Sequence, residues 1–289
     1  HSAFNLLCTA MLLPAGGLLE KLAIRLVPDD KRAETLAELD ERLLAAPSLA
    51  LSRSRAVAVE MAESAVRALD NSLRSFAEYT DALAQSIHAD EERCDHYEDI
   101  LGTYLVKLST RKLSEHESEE ATALLKSIGD LERISDHAVN ILVSAEELRS
   151  KSLTFSDAAA REYTVLADAI REILDLSLRA FEQQDIALAE LVEPLEQVID
   201  TLKEQMRTRH ILRMQQGNCS IEAGFVWSDL LTSLERTSDH CSNIAGCIID
   251  AAQHNLNLHE TLRAVRGDDP SFRREFDRYA AKYALPSGS

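Results

Sequence analysis

The chain has 289 residues, 45% of them hydrophobic but only 5% aromatic, and a formal net charge of −18. A surface this acidic argues against nucleic acid as a partner, because phosphate backbones are bound through positive charge that displaces counterions, and it favours cations. Ala, Leu, Glu and Arg dominate most windows, with 9 Gly and 6 Pro in all, so an all-α fold is expected. The cysteines Cys8, Cys94, Cys219, Cys241 and Cys247 include no CxxC pair and point to a reducing compartment.

In chain order, Phe4 to Leu19 is nearly uncharged. At ~1.5 Å per residue it falls somewhat short of a hydrocarbon layer of ~30 Å. The first residue is His1, so residues 1–27 read either as the end of a membrane segment that begins further upstream or as an apolar docking helix. Lys21, Arg25, Lys31 and Arg32 favour the cytoplasmic side for the helical part of the chain. Residues 28–47 hold a linker helix, Lys31 to Ala46, closed by Pro47.

From Ser48 onward apolar residues recur at helical spacing, as in Val59, Ala62, Val66 and Leu69, and no alternating run suggests strands. Three helices are predicted over residues 48–150: Leu49 to Glu78, Asp81 to Leu108 and Glu117 to Arg149. Ser114 with Glu117 forms a capping-box pattern, and Ser152, Thr154 and Ser156 offer caps for the next helix. Three more are predicted over 151–254: Ala158 to Glu182, Asp185 to Met214 and Glu222 to Ala252. Gln216-Gly217-Asn218 marks a turn. Residues 255–289 form a tail with a short exposed or docking helix. Trp227 and Phe225 read as core anchors.

The two halves are copies. Leu131-Glu-Arg-Ile-Ser-Asp-His and Leu234-Glu-Arg-Thr-Ser-Asp-His differ at one position in seven, and Asn140 and Asn243 extend the match. Glu91-x-x-x-Asp95 repeats more loosely as Glu196-x-x-x-Asp200 on the second helix of each half. The repeat implies a tandem duplication of a three-helix bundle.

Residues four apart share a helix face, so Glu132, Asp136 and Asn140 form one acidic-to-polar stripe, and Glu235, Asp239 and Asn243 another. With the neighbouring helix, each half assembles about four carboxylates, which repel one another unless positive charge sits among them. Arg93, Arg133 and Arg236 are one source of that charge, which would make the stripes structural. A hard cation bound by oxygen, such as Mg²⁺, Ca²⁺, Mn²⁺ or ferric iron, is the other. A ferritin-like di-iron oxidase needs Glu-x-x-His, which the sequence lacks. His137 and His240 lie about 100° round the helix from the aspartates and point beside the stripe. No phosphate loop, G-x-S-x-G or H-E-x-x-H occurs, so no enzyme activity is expected.

The Leu-Glu-Arg-x-Ser-Asp-His helix, its duplication and the helix order resemble the PhoU family over about Ser48 to Ala252. That resemblance implies tandem three-helix bundles whose Glu-x-x-x-Asp motifs bind multinuclear metal clusters. It places the metal positions at Glu91, Asp95, Glu132, Asp136, Glu196, Asp200, Glu235 and Asp239, with Glu196 and Asp200 the looser match. The N-terminal stretch and Leu39-Asp-Glu-Arg-Leu-Leu are similar to the junction that joins bacterial sodium/phosphate cotransporters to a C-terminal PhoU-like domain. This implies a regulatory domain of a sodium-dependent phosphate transporter, located at the cell membrane with the helical part cytoplasmic. Its expected partners are the membrane phosphate-transport domain and a second copy of the chain.

Overall fold

The computed structural model describes residues 39–253 and 270–286. The chain divides into His1–Asp40 and Glu41–Ser289, and the helices described below belong to the second unit. The expected membrane segment, most of the linker helix and residues 255–269 lie outside the described residues.

A 3-10 turn, Glu41–Ala45, leads into α1 (Pro47–Ser75), with Pro47 in the first turn, where its missing N–H is no loss. Helix α2 (Asp81–Ser109) is capped by Thr80, whose hydroxyl accepts from the Leu83 amide at 3.1 Å. Helix α3 (Glu115–Ser150) opens with the predicted capping box: Ser114 Oγ accepts from the Glu117 amide, and the Glu117 carboxylate accepts from the Ser114 amide at 2.9 Å. Ser156 caps α4 (Asp157–Gln183), which ends on left-handed Gln184.

The predicted helix from Asp185 to Met214 is divided. A single turn, α5 (Ile186–Ala189), precedes α6 (Val192–Gln215). Pro194 is the reason: a helix running through it would drive the ring into the carbonyl of Glu190, so the helix restarts with the proline in its first turn. The Gln216–Asn218 turn needs φ +74° at Gly217 before α7 (Ile221–Gln253) begins. The predicted tail contains α8 (Pro270–Lys282).

Helices α1, α2 and α3 pack on one another, as do α4, α6 and α7, and α3 meets α7 along an extensive seam. Met61, Leu69, Ile87, Leu101, Leu105 and Ile128 fill the first set, and Ile170, Leu195, Ile199, Met206 and Leu230 the second, all buried. Each such side chain contributes about 1.5–3 kcal/mol over an exposed one. Trp227 is buried, edge-on to Phe155 at 4.8 Å. Phe225, expected beside it, is instead 68% exposed, because two residues along a helix turn it about 200° away. Helix α8 lies on α6, burying Tyr279. Just beyond it Tyr283 is buried as well, with its hydroxyl donating to Glu172.

Among the described residues no helix is long and apolar enough to cross a membrane, since each long helix keeps a charged outer face. The expected location at the cell membrane is corrected on this ground.

Candidate metal centre

The α2 and α3 stripes meet as their spacing requires. Glu91 and Asp95, one turn apart on α2, face Asp136 on α3, and one carboxylate oxygen from each falls within 4.8 Å of the others. What brings these helices close is the small buried residue beside each acid. Cys94 is fully buried and donates to the Met61 carbonyl at 3.6 Å. Ser135, also buried, returns its hydroxyl to the Glu132 carbonyl at 2.8 Å. The motif serine is therefore a small, self-satisfied packing residue, which leaves its neighbouring acid on the groove.

Burial raises the carboxyl pKa of Glu91, with Asp95 and Asp136 adding to the rise. Burial likewise raises Asp95, aided by Asp136. Glu132, one turn before Asp136, is raised by burial and by Asp136, while Arg133 opposes the rise. Among the described residues, no cation of the chain reaches ion-pair distance of Glu91 or Asp95. Arg93, a candidate for that role, pairs with Asp90 at 3.3 Å. Arg133 does serve its own helix, at 3.3 Å from Glu132 and 2.9 Å from Asp136, from a side chain 60% exposed. An all-oxygen set of this kind suits a hard cation.

The second copy differs. Glu196 is buried and accepts from Gln197 Nε2 at 2.8 Å, while Asp200 is nearly half exposed. Lys203 Nζ stands 2.9 Å from Glu235 and 3.9 Å from Asp200. Arg236 lies 3.7 Å from Asp239, whose carboxyl is raised by burial and by Glu235. Glu196, Asp200, Glu235 and Asp239 do not assemble the close triad seen in the first copy.

The histidines serve the seam. His137 and His240 stack at 5.6 Å between ring centres, where α3 meets α7. Asp130 accepts from His240 Nδ1 at 2.8 Å and from Asn243 Nδ2 at 3.1 Å. Sequence reasoning missed Lys203 and Asp130. Lys203 had a signal, lying three residues after Asp200 and so on the same helix face.

The family model described as the PhoU domain matches residues 58–145 and 164–248, one stretch in each helical set. This chain belongs to the PhoU domain family. Among similar proteins, the phosphate-specific transport system accessory protein PhoU homolog 1 of Thermotoga maritima is 28% identical over 142 residues, 49% of this chain and 60% of that protein. The PhoU homolog of Deinococcus radiodurans is 26% identical over 125 residues, 42% of this chain and 56% of that protein. The chain thus spans less than two thirds of the length of either. The Borreliella burgdorferi homolog is 26% identical over 192 residues, 64% of this chain and 85% of that protein.

The crystal structure of the phosphate transport system regulatory protein PhoU from Streptococcus pneumoniae superposes with a TM-score of 0.63 at 17% identity, covering 73% of this chain and 98% of that one. PhoU from Pseudomonas aeruginosa gives 0.60 at 22%, covering 77% and 100%. These structures share the fold of the tandem helical sets. Both PhoU-matched stretches contain a Leu-Glu-Arg-x-Ser-Asp-His helix, and α8 lies outside them.

Proposed function

We propose that this PhoU domain binds a hard cation between α2 and α3 and modulates a phosphate-transport system by protein contact, without catalysis. Glu91, Asp95 and Asp136 would supply the ligands, with Glu132 completing the set. The observation that carries the metal reading is the convergence of three carboxylates within 4.8 Å, two of which, Glu91 and Asp95, form no ion pair among the described residues. Carboxylates whose pKa values are raised by burial and by one another lose that cost when a cation arrives. The names of the relatives support the phosphate part. The likeness of the N-terminal stretch to a cotransporter junction supports a sodium-dependent phosphate transporter as the partner.

Elemental analysis of protein equilibrated with Mg²⁺, Mn²⁺, Ca²⁺ or ferric iron, beside Glu91→Gln/Asp136→Asn, tests the site. Bound metal in the parent and none in the variant is expected; no metal in either sinks it. For the transporter reading, phosphate uptake is compared in cells with and without this domain, and unchanged uptake rejects it. A second reading, a helical adaptor stabilised by ion pairs alone, is favoured by Arg133 bridging Glu132 and Asp136. It requires that the variant lose stability equally with and without chelator.

A further inference from the structure

The two carboxylate sets descend from one unit, yet a single position reverses their charge. Aligning Glu91 with Glu196 and Asp95 with Asp200 brings Glu98 onto Lys203. The packing follows the same alignment, since Cys94 and Ile199, Tyr97 and Leu202, and Leu101 and Met206 are buried in both copies. The environments correspond as well. In the first copy the charge of Glu98 helps to raise the carboxyl of Glu132. In the second, Lys203 Nζ sits 2.9 Å from Glu235, the counterpart of Glu132, and 3.9 Å from Asp200. The side chains of Lys203 and Glu235 are only 19% and 16% exposed, so this ammonium is enclosed by the groove.

We propose that Lys203 is the resident cation of the second carboxylate set, so that the domain keeps one groove open to metal and closes the other with its own ammonium. The part concerning metal rests on the cation site proposed between α2 and α3, and the ammonium part stands without it. A positive charge fixed among these acids neutralises them and repels any divalent ion that approaches. The duplication has then divided its labour. The α2–α3 groove responds to cations in solution, whereas the α6–α7 groove is held shut whatever their concentration.

Two measurements on the full chain test this. The first is a double-mutant cycle in EDTA with Lys203→Gln and Glu235→Gln, read as thermal midpoints, beside the mirror cycle of Glu98→Gln and Glu132→Gln. Lys203→Gln is expected to lower the midpoint by about 2–5 °C, an effect largely lost in the Glu235→Gln background. The mirror cycle should show coupling of opposite sign, because it removes a repulsion. Zero or unfavourable coupling between Lys203 and Glu235 overturns the proposal, as does the same sign in both cycles.

The second is the number of Mn²⁺ ions bound at equilibrium by the parent and by Lys203→Glu. The variant should bind additional Mn²⁺ that persists with Glu91→Gln/Asp136→Asn and disappears with Asp239→Asn. No gain in the folded variant, or parent Mn²⁺ that Asp239→Asn removes, overturns it. If the parent binds no Mn²⁺, the metal site of the first groove is rejected, while the cycle in EDTA still decides the role of Lys203.

Discussion

At the scale of single residues, the acids of the first groove work against the fold until something neutralises them. Carboxyls whose folded pKa is raised contribute stability that is fullest below their unfolded range and is lost as pH rises through the folded value. The metal-free groove therefore gains repulsion as pH rises through the raised folded values of Glu91, Asp95 and Glu132. Glu91→Gln should raise the thermal midpoint in EDTA and abolish the rise on adding Mn²⁺, measured by scanning at pH 7. A lower midpoint in EDTA would show that Glu91 is held by contacts other than its fellow acids. Gly224 offers a steric counterpart. A methyl group there meets His210 Nε2 at 2.9 Å and Met214 Sδ at 3.1 Å, so Gly224→Ala should cost about 1–3 kcal/mol in urea denaturation.

Residues also set the limit of what can be read in advance. The stripe of Glu132 and Asp136 follows from helical spacing, and so does its meeting with Glu91 and Asp95. Arg93 and Lys203 do not follow from it, because long flexible side chains choose among several acids only once the helices are placed. Arg93 turns to Asp90, and Lys203 enters the groove that the duplication would have left to metal.

At the scale of elements, local chemistry explains the boundaries. Ser114→Ala removes one half of the capping box and should cost about 1 kcal/mol by urea unfolding, with the loss confined to α3 in amide exchange. Pro194 was visible in the sequence, and its conflict with the Glu190 carbonyl accounts for the break before α6. The orientation of Phe225 was less legible, since apolar periodicity near a helix start is carried by too few turns to define a face.

The α3–α7 seam is pH-sensitive through His137, whose pKa is pushed down to about 4, first by burial and then by His240. A histidine depressed in this way contributes stability above its unfolded value near 6.5, and that stability is lost as pH falls towards 4. Unfolding free energy should drop by up to about 2 kcal/mol between pH 7 and pH 5. His137→Leu should flatten that slope in urea titrations at the two pH values.

At the scale of the whole molecule, the helix class, the duplication and the order of the six long helices were legible because 3.6-residue periodicity and repeated motifs survive in a linear string. The seam was not, since neither copy records which of its faces meets the other. Helix α8 adds to the PhoU-matched core a packed face with Tyr279, and its C-terminal flank brings Tyr283 and the Pro286 carbonyl, which accepts from Arg209 at 2.7 Å. A chain ended after Gln253 should lose several degrees of thermal midpoint and leave α6 more open to amide exchange. An unchanged protection pattern would show that α8 contributes little to the second set.

Helix α3 has two neighbours that matter at once: one flank bears Asp136 towards α2, and another bears His137 towards α7. It is a continuous helix of 36 residues without proline, and its one glycine, Gly129, lies two residues before the motif. An ion taken up at the proposed site would load one side of that helix, whose far side is already engaged with the other copy. On the proposed cation site, the motif helix would be a crossbar through which occupancy of one copy bears on the packing of its twin.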